Sequence, residues 1–195
     1  MTVVSALDAP CAASPNLPLK AAALKVLLAP VVSEKPRTIG VPVQGTQLVR
    51  GRSTMVIAAP IDKVREAALD FGHYADFMPH YRKCRVLSGA RGGAQEVYME
   101  VTAIHGAVTM WARIEVAKGT VVDGVEVYDT KFLDGNVKDL KATFRFRKID
   151  DSSTELSLEL FLLPQLPLPD SVLNEENLKG SADAVVAIKQ RVTGR

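Results

Sequence analysis

The sequence predicts an α+β fold in which one antiparallel β-sheet packs against a long C-terminal helix. Six short runs rich in β-branched and aromatic residues follow one another between residues 85 and 163, separated by Gly, Asp or Ser turns. Apolar residues recur at helical spacing in a short stretch near residues 61–78 and in a long one over residues 171–192. Strands joined by such short turns pair antiparallel, and helices outside the run of strands pack on one face of the sheet.

Composition and charge are those of an ordinary globular protein. Of 195 residues, 47% are apolar and 24% are charged, with a net charge of +2, which excludes a disordered tail or a collagen-like repeat. The two cysteines lie far apart, which argues against a disulfide framework or a zinc site. No apolar run is long enough to predict an integral membrane segment. The basic residues do not form the concentrated cluster that nucleic-acid binding needs. The first charged residue is acidic, so we predict a cytoplasmic protein and leave export open.

Residues 1–50 are interpreted as a partly ordered N-terminal extension, followed by one folded domain over residues 51–195. Repeated prolines interrupt the extension and leave room for one short helix near Leu19–Leu28. The domain then opens with a strand at Ser53–Ala58 and a helix that Pro60 begins and Gly72 ends.

The remaining elements follow in order. A second short helical piece, Tyr74–Met78, stops before Pro79. The predicted strands after it are Arg85–Ser88, Gln95–Ile104, Ala107–Ala117, Gly124–Phe132, Leu140–Lys148 and Thr154–Leu163. A helix over Ser171–Val192 ends the chain. Its predicted buried stripe is Leu178, Ala182, Val185, Ile188 and Val192.

Alternation along the strands predicts which residues face inward and how the hairpins are closed. The inward set of the two central strands is Val97, Met99, Val101, Ala103, Val108, Met110, Ala112 and Ile114. Since this set changes from odd to even positions, the connecting loop needs an even number of residues, and His105-Gly106 fits. The last hairpin has even inward positions on both strands, so it needs an odd loop around Asp151–Ser153. The outward charges of that hairpin are interpreted as a solvated face: Arg145, Arg147, Glu155 and Glu159.

Two motifs resemble the START-like (SRPBCC) superfamily, of the polyketide cyclase or coenzyme Q-binding type. They are Ile57-Ala58-Ala59-Pro60-Ile61-Asp62-Lys63-Val64 and Asp70-Phe71-Gly72-His73-Tyr74-Ala75-Asp76-Phe77-Met78-Pro79. The resemblance extends over about residues 51–192. It implies a helix-grip fold, in which a curved antiparallel β-sheet wraps around the long C-terminal α-helix and encloses an elongated apolar cavity. Members of this superfamily mostly bind lipids, quinones, polyketides or other hydrophobic molecules, and a minority are enzymes.

A sheet wrapped around the last helix would place a defined set of side chains on the cavity wall. The predicted wall residues are Met99, Val101, Met110, Ala112, Val127, Leu140, Ala142, Phe144, Leu158, Leu160, Gly180 and Val185. Each could instead simply fill the core. Tyr74, Phe77 and Met78 belong to the short second helix and are predicted either to gate the cavity mouth or to plug the core.

Three functions are compatible with this sequence. The first is a non-enzymatic carrier or sensor of a hydrophobic small molecule, with no cofactor and no metal. The second is a cyclase or dehydratase in which Asp129 is the acid or base, because Asp129 shares the inward parity of Val127. Asp129 could equally lie in water at the end of its strand. No nucleophile elbow, HExxH motif or glycine-rich phosphate loop is present in the sequence.

The third function is a protein-interaction module. Aromatic residues with outward parity lie at Tyr98, Trp111, Tyr128, Phe132 and Phe161. So much aromatic surface requires a cover, which is either the N-terminal extension or a protein partner. The extension is the favoured cover, and deletion of residues 1–45 is predicted to expose Trp111. The histidines are not favoured for catalysis, because His73 and His80 are predicted to face solvent and His105 to lie in a turn.

Overall fold

The structure is a computed structural model that describes residues 34–89, 93–103 and 106–194. The helix expected near Leu19–Leu28 and the conformation of His105 lie outside these residues. The described helices are α1 (Ile61–Ala68), α2 (Tyr74–Phe77) and α3 (Asp170–Thr193), with a 3₁₀ turn at Phe71–His73. The described strands are β1 (Arg37–Pro42), β2 (Val49–Ile57), β3 (Tyr81–Gly89), β4 (Gln95–Ala103), β5 (Val108–Val116), β6 (Thr120–Val122), β7 (Val125–Gly135), β8 (Val137–Asp150) and β9 (Ser153–Pro164).

The strands form one antiparallel sheet in the order β1-β2-β9-β8-β7-β5-β4-β3, with β6 paired to β7. Helix α3 packs mainly on β2 and β9, and α1 packs on α3. The helix-grip fold is therefore confirmed, as a curved antiparallel sheet around the C-terminal helix with a short helical pair after the first strands. The sheet starts ahead of residue 51, because β1 pairs along β2 from Arg37 opposite Thr54 to Pro42 opposite Val49.

Close contact at Gly51 sets the position of α3. A Cβ atom at Gly51 would lie 2.0 Å from the carbonyl oxygen of Asn177, so only glycine lets the helix lie this near to β2. The Asn177 side chain accepts a hydrogen bond from the Leu162 amide (2.8 Å) and donates one to the Val49 carbonyl (3.3 Å). These bonds tie α3 to both β9 and β2, and they give hydrogen-bond partners to two partly buried backbone groups.

The buried face of α3 differs from the predicted stripe in its first half. Asn177 and Ser181 are buried there, whereas Leu178 and Ala182 are only partly buried. The Ser181 hydroxyl lies 2.8 Å from the hydroxyl of Ser53 on β2. The prediction failed because polar residues, paired by hydrogen bonds, take the place of apolar ones at this contact. Val185 and Ile188 are fully buried, as predicted.

The predicted registers of the two hairpins are confirmed. Met99 pairs with Ala112 across β4 and β5, and Phe144 pairs with Leu158 across β8 and β9. Ala103 lies opposite Val108, which leaves the even spacing that parity requires, although two of the intervening residues lie outside the described part of the chain. The predicted odd β8–β9 loop is wrong, because Asp150 pairs with Ser153 and leaves the two-residue loop Asp151-Ser152, while a register shift between Lys148 and Asp150 provides the odd residue that parity requires.

Helix α1 ends earlier than the sequence suggested, and strand β6 was not predicted. The helix stops at Ala68, and Gly72 lies in the following 3₁₀ turn instead of ending the helix. The turn brings the buried Phe71 ring to 6.3 Å from that of Phe144, so burial of Phe71 overrides continuation of the helix.

The outer face of the sheet holds a buried carboxylate among three arginines. Glu159 is only 8% exposed, and its carboxylate lies 2.9 Å from Arg50, 2.5 Å from Arg52 and 3.8 Å from Arg145. Burial by itself raises the pKa of Glu159, but hydrogen bonds from Arg52 and Arg50 and the charges of Arg52 and Arg145 outweigh it. The pKa of Glu159 is therefore below its ordinary value. The interpretation of this face as wholly solvated is wrong for Glu159.

Replacing this carboxylate should make stability less dependent on pH. A lowered pKa in the folded protein stabilises it above the unfolded-state pKa of about 4.3, and this contribution disappears as the pH falls through the folded-state value. We expect Glu159→Gln to lower the free energy of unfolding by about 1–2 kcal/mol near neutral pH, because the arginines stay partly solvated. The difference should shrink as the pH falls below the unfolded-state pKa of about 4.3. Urea titrations across this range measure it, with Glu155→Gln, at the more exposed pair with Arg147, as the control. A difference that is constant with pH would contradict this assignment.

Candidate ligand cavity

A cavity of about 160 Å³ lies between α3 and the inner faces of β4, β5, β8 and β9. Its walls are mostly apolar. The apolar wall residues from the strands are Met99, Val101, Ala103, Val108, Met110, Trp111, Ala112, Val137, Leu140, Ala142, Phe144, Leu158, Leu160, Leu162 and Pro164. Methionine side chains adapt their shape readily, so such a wall fits apolar molecules of more than one outline.

Small residues on both sides keep this space open. Gly180 and Ala184 line the cavity from α3, and Ala112 and Ala142 line it from the strands opposite. A Cβ atom at Gly180 would lie 3.0 Å from a methyl group of Leu160, so the glycine permits close approach of the strand side chain. On the side of β2, α3 is held at close contact with Gly51.

The short helix α2 borders the cavity. Tyr74 and Met78 contribute to the lining and are themselves buried. Phe77 does not line the cavity. Its ring lies 5.5 Å from that of Tyr74, and the guanidinium of Arg191 lies 5.4 Å from its centre. Phe77 therefore joins α2 to the C-terminal end of α3.

Most of the predicted wall residues come together in the structure. Those that line the cavity are Tyr74, Met78, Met99, Val101, Met110, Ala112, Leu140, Ala142, Phe144, Leu158, Leu160 and Gly180. Besides Phe77, Val127 and Val185 lie elsewhere. Val185 is fully buried in the core beside the cavity.

The inward parity predicted for β7 is wrong, which removes Val127 and Asp129 from the cavity. Tyr128 is the buried residue of this strand and pairs with Phe144, whereas Val127 pairs with Arg145 on the outer face. Asp129 is exposed, and its carboxylate accepts a hydrogen bond of 2.6 Å from the Thr143 hydroxyl. The valines at alternate positions suggested the opposite face, but the larger tyrosine gains more from burial.

The outward aromatic residues have different environments. Tyr98 and Trp111 stack with ring centres 6.0 Å apart, and both are half-buried. Phe161 is buried against Leu48, from the segment between β1 and β2, and against Leu173 of α3. With Tyr128 facing inward, the aromatic face proposed for a protein partner is smaller than predicted. Residues 37–42 of the predicted extension form β1 on β2, and residues 1–33 lie outside the described residues, so the cover of Trp111 by the extension stays a prediction.

Several polar side chains that were not predicted from the sequence also border the cavity. They are His80, Tyr81, Thr102, Glu176, Asn177 and Asp183. Asp183 lies 2.5 Å from Lys179 and 3.8 Å from the Nε2 atom of His80, which itself has a left-handed backbone conformation (φ 70°). Tyr81 was missed because a register shift after it breaks the alternation of β3.

No metal centre is found among the described residues. Within residues 34–89, 93–103 and 106–194, no three His, Cys, Asp or Glu side chains cluster as metal ligands. Burial raises the pKa of Cys84 to about 12, so this thiol is protonated and unreactive at neutral pH. No described helix has both the length and the apolar character needed to cross a membrane.

The chain also matches a known protein family over most of the cavity-forming domain. Residues 57–175, more than half of the chain, match the family described as "polyketide cyclase / dehydrase and lipid transport". The chain belongs to this family. The matched segment runs from the end of β2 into α3, so it includes the strands that enclose the cavity. Membership of the START-like superfamily, predicted from the two motifs, is confirmed. Among curated proteins, none matches the chain.

Solved structures of START-like proteins share the fold. A STAR-related lipid transfer protein of Xanthomonas axonopodis has a TM-score of 0.69 at 14% identity, covering 82% of this chain and 94% of that one. Human StAR-related lipid transfer protein 5 has a TM-score of 0.65 at 9% identity, covering 87% and 92%. The Zhui aromatase/cyclase of a Streptomyces species has a TM-score of 0.53 at 21% identity, covering 72% and 92%. At these identities the likeness is one of fold.

Proposed function

We propose that this protein binds a hydrophobic small molecule in the cavity beneath α3 and carries or senses it without changing it chemically. The observation that supports this most directly is the apolar cavity between α3 and the inner face of the sheet. Burial of apolar ligand surface contributes about 25 cal/mol per Å², which provides affinity without any reactive group. Lipids, quinones of the coenzyme Q type and polyketides are the candidate ligand classes.

The carrier function is favoured over a cyclase or dehydratase because the proposed acid or base is not at the cavity. Asp129 is exposed on the outer face and accepts a hydrogen bond from Thr143. The predicted effect of Asp129→Asn is therefore small. We expect ligand affinity within about twofold of wild type, measured by calorimetry, and a free energy of unfolding within about 0.5 kcal/mol of wild type. A large loss of affinity would place Asp129 back at the site.

The proposal is tested by asking what the purified protein holds and what it takes up. Denatured protein is extracted with organic solvent and the extract is analysed by mass spectrometry, and ligand-stripped protein is titrated with naphthalene by calorimetry. We expect an apolar compound in the extract and saturable binding of one naphthalene per chain. Naphthalene at about 100 times its Kd should raise the free energy of unfolding by about 2.7 kcal/mol. An empty extract together with no saturable binding would contradict the proposal.

A further inference from the structure

Two neighbouring tyrosines line the cavity, and their hydroxyl groups have different environments. The rings of Tyr74 and Tyr81 meet edge to face at 5.3 Å. The Tyr74 hydroxyl donates a hydrogen bond to the carbonyl oxygen of Ala68. No residue in the described part of the chain accepts a hydrogen bond from the Tyr81 hydroxyl. Tyr81 is thus a phenol donor at an apolar wall that the protein itself leaves without an acceptor.

The Tyr81 hydroxyl is a donor over the whole physiological pH range. Burial raises the pKa of Tyr81 well above its ordinary value, so the group stays protonated and neutral. Tyr81 is partly buried, and its hydroxyl has no acceptor among the described residues. A ligand that brings an acceptor oxygen to this point gains a hydrogen bond of about 0.5–1.5 kcal/mol net, whereas a pure hydrocarbon does not.

The charges at the border of the cavity disfavour an anionic ligand. Asp183 is already paired with Lys179, so that lysine is not free to neutralise a second carboxylate. Glu176 is half-buried at the border, and no described residue pairs with it. A fatty-acid carboxylate near Glu176 would meet a like charge, and a neutral oxygen would not.

The size of the cavity limits the ligand further. Its volume of about 160 Å³ is below the range of roughly 300–1,000 Å³ for drug-sized ligands, and is similar to an engineered cavity of about 150 Å³ that holds benzene. Without rearrangement of the wall, the space suits a molecule of one or two rings or a short chain. A diacyl lipid would need the walls to move apart.

From these observations we propose that Tyr81 selects the ligand: the cavity takes a small, neutral, apolar compound with a carbonyl group, and the Tyr81 hydroxyl donates a hydrogen bond to the carbonyl oxygen. This inference rests on the proposed function and specifies the ligand class of that same site. Tyr81 acts by binding and orientation, and no bond is made or broken.

The test uses two probes of nearly the same shape, indane and its ketone indanone, and two matched variants. Calorimetry gives the Kd of each probe for the wild type, Tyr81→Phe and Tyr74→Phe. We expect Tyr81→Phe to raise the Kd of indanone about three- to tenfold and to leave the Kd of indane unchanged, as loss of one neutral hydrogen bond predicts. Tyr74→Phe removes a hydroxyl that the backbone already satisfies, so the ratio of the two Kd values should stay at the wild-type value.

The outcomes separate this inference from the proposed function. If the wild type binds neither probe, the proposed function itself fails for ligands of this size. If Tyr81→Phe changes the Kd of both probes by the same factor, or if indane binds and indanone does not, the cavity still binds apolar ligands but the role proposed for Tyr81 is wrong. Infrared spectra of indanone bound to the wild type give an independent measure that needs no variant. We expect a carbonyl stretch shifted to lower frequency than in hexane, and an unshifted band would overturn the hydrogen bond.

Discussion

Replacement of Gly51 by alanine is expected to destabilise the protein by about 3 kcal/mol or more. The new Cβ atom would lie 2.0 Å from the carbonyl oxygen of Asn177 and 2.8 Å from the Cα atom of Leu178. Both atoms belong to the backbone of α3, so no side chain can turn aside to make room. The helix must move away from β2, which lengthens the hydrogen bonds of Asn177 to Leu162 and Val49. Denaturant unfolding followed by circular dichroism measures the loss.

Gly72 provides the matched control for Gly51. It lies in the 3₁₀ turn, where a Cβ atom would have no described neighbour within 4 Å, and its backbone is not left-handed. We expect Gly72→Ala to stay within about 0.5 kcal/mol of wild type. Equal effects of the two substitutions would show that α3 is not held by the close approach at Gly51. Because α3 forms one wall of the cavity, its displacement in Gly51→Ala should also weaken naphthalene binding.

The overall fold could be predicted because its signals are repeated along the chain. In β4, β5 and β8 the apolar residues alternate, as do the even-numbered leucines of β9, so parity gives the register of both hairpins, including Met99 opposite Ala112. The motifs from Ile57 to Pro79 add the order of elements. Repetition of this kind tolerates local errors, since one misplaced turn does not change the faces of the other strands.

The predictions that failed concern places where one strand carries apolar residues on both faces or changes its register. In β7, two valines and Tyr128 compete for the inner face, and only the packing of Tyr128 against Phe146, with ring centres 5.8 Å apart, decides between them. In α3, Asn177 and Ser181 are buried because they form hydrogen bonds with residues more than 120 positions away in sequence. Pairing of this kind leaves no periodic signal.

The cavity wall was easier to predict than its polar border. Wall residues such as Met110 and Leu158 follow from strand parity, whereas the border joins His80 and Tyr81, after α2, to Glu176 and Asp183 on α3. These residues meet only because α3 crosses the open side of the curved sheet. Sequence patterns within one element cannot show which residues of two distant elements share a space.

Filling the cavity should raise stability and abolish binding in the same variant. Without a ligand, a cavity of about 160 Å³ costs about 4 kcal/mol at about 24 cal/mol per Å³. Ala184 lies on the cavity side of α3 and is half-buried, so Ala184→Leu adds an isopropyl group to the space that a ligand would use. We expect the free energy of unfolding to rise by about 1–2 kcal/mol and naphthalene affinity to fall more than about tenfold.

The opposite signs of these two changes distinguish a ligand site from an ordinary core. A side chain forced into a well-packed core lowers stability, so a fall in both stability and affinity for Ala184→Leu would mean that the space is too small to be used. Ala75→Leu, at an exposed position of α2, adds the same group outside the cavity and should change neither quantity. Because a protein selected for stability alone would have closed the space with a larger residue, a stabilising Ala184→Leu would indicate that the small residues on α3 are kept for binding.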